Sequence, residues 1–274
     1  MSTFYNSERL KYNQMNYNND VELDNFCSQC LLVINAVGPS FKINDKIALH
    51  ALRNNCHYID IGGYGILRDL LKPYEKSIEA QKLCFIIGVG WMPGISGVFS
   101  KTIIETHLNS PENTNFNIYY GAVDNWSYSS TYDLAASSMG KTRSYVYSHG
   151  KEIQVSPFRY THHKFFPFIG HKKICMPSFD EQLTQLATSL KQIRKISTFI
   201  MLNDYISMGK FMFIKIFYKH NLNKATLMLQ DDYQRLVKKE NKWGSVICQV
   251  SKIEPERKID TFYYLYTVSY THLR

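Results

Sequence analysis

The sequence predicts an α/β protein in which a partial, doubly wound parallel sheet is followed by a mixed, mainly antiparallel α+β domain. Short apolar runs alternate with helical periods from residue 21 to about residue 107, as in strand–helix–strand units. Beyond residue 109 the pattern changes to strands in which aromatic and β-branched residues alternate. We therefore expect two domains, a Rossmann-like domain over residues 1–109 and an α+β domain over residues 110–274.

The first half of the chain contains three predicted strands, each followed by helical material. We predict a helix at 21–30, a strand at 31–36, a helix at 41–54, a strand at 57–61, helical material to 81, a strand at 83–87 and a helix at 96–108. Three strands with crossover helices at this spacing are typical of a parallel sheet.

The second half contains mostly short predicted strands. We predict strands at 116–123, 144–147, 153–155, 173–176, 195–201, 244–252 and 261–268, with helices at 130–139 and 180–190. The apolar residues of 204–218 fit neither the helical nor the strand period, so both interpretations stay open there.

Composition excludes several classes of protein. The net charge of +9 and the pI near 9.1 suit an anionic partner, but the basic residues are scattered, which argues against a nucleic-acid-binding module. The six cysteines form no disulfide framework, and no run of apolar residues is long enough for a membrane span. We expect a cytoplasmic protein that contacts neither nucleic acid nor membrane and that forms a homodimer.

All three predicted parallel strands end in small or special residues. The sequences there are NAVGP, DIGG and GVGWMPG, and the carboxyl ends of parallel strands lie along one edge of a sheet, so we expect these loops to meet at a common crevice. Glycines let a backbone approach a ligand closely; they are Gly38, Gly62, Gly63, Gly88, Gly90 and Gly94. The other interpretation is that these glycines only make tight turns.

The three loops carry a resemblance to a known family. LLVINAVGPSF, NNCHYIDIGG and IIGVGWMPGISG match, in order and spacing, a strand ending in N-x-x-G-P, a strand with H-Y-x-D, and a G-x-x-P-G loop that opens a helix. Over roughly residues 20–107 the chain resembles the saccharopine dehydrogenase family of NAD(P)-dependent oxidoreductases. The resemblance implies a small-molecule substrate that is derived from an amino acid, action on a carbon–nitrogen bond of this substrate, and NADP or NAD as cofactor.

The resemblance also implies cofactor-binding residues. Asn35, Ala36, Gly38 and Pro39 are expected to pass along the cofactor. Asp60, Ile61 and Gly62 are expected near its nicotinamide end, and Pro93 and Gly94 are expected to shape the nicotinamide and substrate pocket. No catalytic residue and no metal ligand is assigned.

The chain departs from the family in one important respect. The glycine-rich G-x-G-x-x-G turn, which holds the pyrophosphate of a dinucleotide, is absent from the sequence. We therefore expect a chain that lacks the start of the family's dinucleotide domain, and whose last residues after about Val268 also depart from the family. The alternative is a non-catalytic binding or scaffold protein that has lost the phosphate-binding loop.

Several individual residues have both a functional and a structural interpretation. Tyr58 and Asp60 share one side of their strand, where Asp60 could orient a substrate amine or cap the next helix. Trp91 could stack on a nicotinamide or cover the edge of the sheet.

The remaining candidates lie outside the three loops. The Cys27–Cys30 pair is expected to fill space in the core or at the surface and not to bind a metal. His162 and His163 lie in a predicted loop and are expected to be surface residues. Arg143 and Arg159 are candidates for holding a substrate carboxylate.

Overall fold

The computed structural model describes residues 10–62, 65–107, 111–139, 144–178, 181–253 and 257–267. The helices in this part of the chain are α1 Asp20–Cys27, α2 Ser40–Ile43, α3 Lys46–Arg53, α4 Gly65–Leu71, α5 Glu75–Ala80, α6 Ile95–His107, α7 Tyr128–Met139, α8 Pro157–Tyr160, α9 Glu181–Ser189, α10 Tyr205–Phe217 and α11 Leu222–Val237. The strands are β1 Leu32–Asn35, β2 His57–Asp60, β3 Phe85–Ile87, β4 Thr114–Val123, β5 Tyr145–Ser148, β6 Lys151–Gln154, β7 His162–Phe166, β8 His171–Pro177, β9 Lys195–Leu202, β10 Trp243–Ile253 and β11 Lys258–Thr267.

The chain forms two compact units, and the predicted α/β class is confirmed. Residues 1–36 and 43–87 make the smaller unit, and residues 37–42 and 88–274 make the larger one. Helix α6 is grouped with the larger unit, although its sequence follows the third strand. The boundary that we predicted near residue 109 stays a prediction, because compactness alone does not define a domain.

The smaller unit is built on a parallel sheet in the order β1-β2-β3. Its core lies on one side of the sheet, where Val33 and Tyr58 pack with α1, α3 and α4. The helix predicted at 41–54 is divided into α2 and α3, because Asn44 has a left-handed backbone conformation with φ of 52°. Exposed apolar side chains lie on the other side of the sheet, at Leu32, Ile34 and Ile86.

The larger unit contains an eight-stranded sheet that is mainly antiparallel, as predicted. The order is β11-β10-β4-β9-β5-β6, and β8 pairs with both β7 and β9. The pairing of β4 with β9 is parallel. One face of the sheet packs against α6 and α9 through buried residues such as Ile104, Phe116 and Leu183.

The second face of this sheet is divided between an apolar end and a polar end. Tyr119, Phe199 and Trp243 belong to an apolar cluster that also contains Phe166 of β7 and Leu236 of α11. Toward the other end the same strands present Asn, Ser, Lys and Gln side chains instead of apolar ones. This polar end is described with the candidate site below.

The structure differs from the predicted elements at three places in the larger unit, and one of them is the short helix α8, for which we predicted no element. Residues 162–166 form strand β7, not the loop that we predicted, and residues 222–237 form helix α11, for which we predicted no element. The buried face of α11 includes Thr226 and Asp232 beside its leucines, so its apolar period is interrupted in the sequence. None of the helices in the described ranges is long and apolar enough to cross a membrane.

Candidate functional site

Two polar side chains lie buried where the first two parallel strands end. Asn35 closes β1 and Asp60 closes β2, and the register of the sheet places them opposite each other. They are only 5% and 3% exposed, and Asn35 Nδ2 donates to Asp60 Oδ2 at 2.8 Å. Because a buried carboxylate is costly without hydrogen-bond partners, this pairing stabilises the carboxyl edge of the sheet.

Asp60 accepts two further hydrogen bonds from its own segment of the chain. Tyr58 Oη donates to Oδ2 at 2.5 Å, and the Gly62 backbone N–H donates to Oδ1 at 2.8 Å. The Ile61 N–H donates to the Asn35 carbonyl at 3.2 Å. The carboxylate therefore fixes the turn after β2 and holds the ends of both strands together.

The Tyr58 phenol stays protonated and acts as a donor within this network. Burial, followed by the negative charge of Asp60, raises the pKa of Tyr58 far above its ordinary value. The donors around Asp60 are thus neutral, and no described cation faces the carboxylate within ion-pair distance. The expectation that Tyr58 and Asp60 share one side of β2 is confirmed, and the contact with Gly62 lies in the turn after β2, before α4 begins at Gly65.

Gly38 and Pro39 belong to the larger unit, where they lead into α2. A Cβ on Gly38 would lie 2.9 Å from Ser129 Cβ, so close packing by itself requires a glycine there. The backbone N–H groups of Ser40 and Phe41 donate to the carboxylate of Asp133 at 2.9 Å and 3.2 Å. An internal carboxylate therefore occupies the position that an anion takes at the start of a helix.

Pro93 and Gly94 lie in a tight turn before α6. Gly94 has φ of +125°, and a Cβ there would lie 2.2 Å from the carbonyl oxygen of Gly90. The Gly90 N–H donates to the Pro93 carbonyl, and the Gly94 N–H donates to Gln182 Oε1 at 2.8 Å. The turn itself therefore needs a glycine at position 94.

The nine predicted cofactor-binding residues are distributed over the two units. Asn35, Asp60, Ile61 and Gly62 meet at the edge of the small sheet, and Ala36 follows Asn35 in the same unit. Gly38, Pro39, Pro93 and Gly94 are in the larger unit. Contact of these residues with a cofactor stays a prediction, because packing and turn geometry already account for Gly38 and Gly94.

The contacts of most other candidate residues indicate structural roles. Trp91 packs on the core between the larger sheet and α6. Cys27 is fully buried, and this burial raises the pKa of its thiol to about 11, which keeps it protonated and unreactive. Within the described ranges no three His, Cys, Asp or Glu side chains come together in a way that could hold a metal ion. Gly63 and Arg143 lie outside the described residues.

A set of polar residues that we did not predict lies on the second face of the larger sheet. We call this set the polar patch; it comprises Asn115 and Asn117 of β4, Lys195 and Ser197 of β9, and Gln249 and Ser251 of β10. The patch lies beside a cavity of about 410 Å³ whose lining also includes Arg159, His162 and Lys164. The signal in the sequence was the alternation in TNFNIYY, where Asn115 and Asn117 alternate with apolar residues and so mark one face of the strand as polar.

Comparisons with known proteins leave the family of the chain unassigned. No family model matches it, and no curated protein matches it. Among solved structures, the chain is similar to one described as a putative oxidoreductase yvaA from Bacillus subtilis, with 8% identity, a TM-score of 0.34, and coverage of 92% of this chain and 70% of that chain. A similarity this weak leaves the function to be argued from the residues of the chain itself.

Proposed function

We propose that this protein is an NAD(P)-dependent oxidoreductase of the saccharopine dehydrogenase type, which acts on a carbon–nitrogen bond of an amino-acid-derived substrate. The observation that carries the proposal is the paired, buried Asn35 and Asp60 at the carboxyl edge of a parallel sheet. Ligands of open α/β sheets bind outside this edge. The resemblance of the H-Y-x-D motif to the family also implies that the nicotinamide end of the cofactor lies at this edge.

The chemistry of this edge fits the nicotinamide end of such a cofactor. Asn35 and the Asp60 turn hold the strand ends rigid, and Ile61 offers a partly buried apolar side chain beside them. In the proposal, Asn35, Ile61 and Gly62 contact the nicotinamide ring and its carboxamide, while Asp60 positions them. When bound, the reduced cofactor would donate a hydride to the substrate carbon, or the oxidised cofactor would accept one from it.

The fit does not extend to the pyrophosphate of the cofactor. The 274 residues contain no G-x-G-x-x-G turn, and the first-turn amides of α2 already donate to Asp133. The proposal therefore requires that groups other than these amides hold the phosphates. It assigns no catalytic acid or base, because the described neighbours of Asp60 are a phenol, an amide and a backbone N–H.

The second candidate function is a non-catalytic binding or scaffold protein. It is favoured by the same contact between Asp133 and the first turn of α2, because an internal carboxylate at a helix N-terminus competes with a bound phosphate. Under this alternative the Asn35–Asp60 pair serves only the stability of the small sheet. The two functions differ in whether the protein binds a nicotinamide cofactor.

A fluorescence titration with NADPH and NADH tests the proposal. The wild-type protein is compared with Ile61→Glu, which places a negative charge at the proposed contact, and with Ile66→Glu, at an exposed position in α4. We expect micromolar binding that Ile61→Glu weakens by about tenfold or more, with Ile66→Glu unchanged. No binding of either cofactor by the wild-type protein contradicts the proposal and favours the scaffold alternative.

A further inference from the structure

The cavity beside the polar patch lies wholly in the larger unit, so an inference from it does not depend on the proposed function. Ser197, Gln249 and Ser251 are each no more than 2% exposed, although they lie in the middle of a sheet face. Burying polar side chains where apolar ones could pack lowers stability unless each polar group is satisfied. Gln249 and Ser251 are satisfied by hydrogen bonds, but the net gain in stability from such bonds over apolar packing is small, so the patch indicates a requirement other than stability.

Four basic side chains lie around this cavity: Arg159, Lys164, Lys195 and Lys258. Lys258 is paired with Asp260 at 3.2 Å. For the other three, the described residues provide no carboxylate within ion-pair distance, and none of the described lining residues is Asp or Glu. The cavity thus has an excess of positive charge.

Two of these cations are held by neutral partners. Lys164 Nζ donates to Gln249 Oε1 at 2.8 Å and lies over the rings of Tyr119 and Phe262. Lys195 Nζ lies 3.5 Å from Tyr160 Oη and 4.8 Å from the centre of its ring. These contacts position both ammonium groups without neutralising them.

Hydrogen bonds with neighbouring side chains hold the Gln249 side chain in place. Its Oε1 also accepts from Tyr119 Oη at 3.1 Å, and its Nε2 donates to Ser251 Oγ at 3.1 Å, which in turn donates to Asp260 at 2.6 Å. The network makes the base of the cavity rigid, so that the position of Lys164 is set before any ligand arrives. Burial lowers the pKa of Lys164, the charge of Asp260 offsets part of this effect, and an anion bound in the cavity would offset more of it.

A side chain of the cavity has a hydrogen-bond acceptor with no partner among the described residues. Asn115 lines the cavity, and its Oδ1 atom is buried and accepts no hydrogen bond from the described residues. A buried acceptor without a donor costs about 1–3 kcal/mol. A hydroxyl or amino group of a ligand would supply the missing donor.

We propose that this cavity binds a small organic anion that carries at least two carboxylate or phosphate groups together with a hydroxyl or amino group. Lys164, Lys195 and Arg159 face its anionic oxygens, and Asn115 Oδ1 accepts a hydrogen bond from its hydroxyl or amino group. The volume of about 410 Å³ suits a ligand of this size. The carboxylate and phosphate classes share the charge that the cavity recognises, and the experiment separates them.

Isothermal titration calorimetry with citrate and with fructose 1,6-bisphosphate tests the proposal. We expect one of the two to bind with a Kd below about 1 mM, and Lys195→Met to weaken it by about tenfold or more. Lys172→Met, which removes the same charge from an exposed position on β8, is the matched control and is expected to leave the Kd unchanged. Arg159→Gln, at an exposed position, provides a second variant that does not endanger folding.

Two outcomes overturn the proposal. One is a Kd above about 1 mM for both ligands. The other is equal weakening by Lys195→Met and Lys172→Met, which would show binding to net charge alone.

Tricarballylate, which is citrate without its hydroxyl group, tests the role of Asn115 if citrate is the ligand. The wild-type protein is expected to prefer citrate by about tenfold, and Asn115→Ala to remove this preference. For fructose 1,6-bisphosphate, the corresponding comparison is hexane-1,6-diol bisphosphate, which keeps two phosphates on a six-carbon chain and has no hydroxyl groups. Equal affinity of the wild-type protein for both members of a pair contradicts the assigned role of Asn115.

Discussion

At the scale of single residues, Asp60 shows how far the sequence determines the candidate site. The strand period predicts that Tyr58 and Asp60 lie on the same side, and the 2.5 Å contact between them confirms it. The partnership with Asn35 was not predicted, because it depends on the register between β1 and β2 and involves residues 25 positions apart. Local patterns thus define which side of a strand a residue occupies, but not its partner on the next strand.

We expect Asp60→Ala to destabilise the small unit by about 2–4 kcal/mol. The substitution leaves buried donors of Asn35 and Tyr58 without their acceptor and removes the contact with the Gly62 N–H. Urea denaturation measures the change in the free energy of unfolding.

Asp69→Ala is the control for this variant, because Asp69 is exposed and pairs only with its neighbour Arg68 among the described residues. We expect that variant to change stability by less than about 0.5 kcal/mol. Equal stability of Asp60→Ala and Asp69→Ala would contradict the structural role assigned to Asp60.

At the scale of elements, helix α10 shows why residues 204–218 were ambiguous. Its apolar residues surround much of the helix, and Ile216 and Phe217 are exposed while Phe211 and Ile214 are buried. The helical period of the buried residues therefore cannot be recognised in the sequence. What defines the helix is its start, where Asp204 Oδ1 accepts from the Ser207 N–H at 2.8 Å.

Asp204 also joins α10 to α11. Arg235 of α11 donates from both terminal nitrogens to the two Asp204 oxygens, at 2.7 Å and 3.0 Å, and its Nε donates to Asp232. Burial alone would raise the pKa of Asp204, but hydrogen bonds from Arg235 and Ser207 outweigh it and lower the pKa to about 2. One carboxylate therefore caps one helix and pairs with the next.

This lowered pKa predicts a dependence of stability on pH. A carboxylate with a lower pKa in the folded state stabilises the fold above its unfolded value near 3.8, and the contribution is lost as the pH falls toward 2. We expect the stability difference between wild type and Asp204→Asn to shrink by about 0.5–1 kcal/mol between about pH 6 and about pH 3, after allowance for partial exposure.

Urea denaturation of both proteins at each pH measures this difference. Asp231→Asn, at an exposed position of α11, is the control and is expected to show a smaller change. A stability difference that is constant or grows as the pH falls would contradict the assignment of Asp204.

At the scale of the whole molecule, the sequence predicted the class of both sheets but not the chemistry of the larger one. Alternation within each strand indicated an antiparallel sheet, and the pairings confirm it. The polar patch was not predicted, because its six residues come from three strands that lie far apart along the chain. Only the register of β4 with β9 and β10 brings them to one place on the sheet.

Hydrogen–deuterium exchange with and without NADPH or NADH tests the central claim most directly. The account predicts slower exchange in peptides that contain residues 35–36 and 60–62 when the cofactor is present, because the nicotinamide lies against these strand ends. Peptides of α11 serve as the internal control and are expected to exchange unchanged. No change at either strand end, in a protein saturated with cofactor or in one that fails to bind it, would contradict the account.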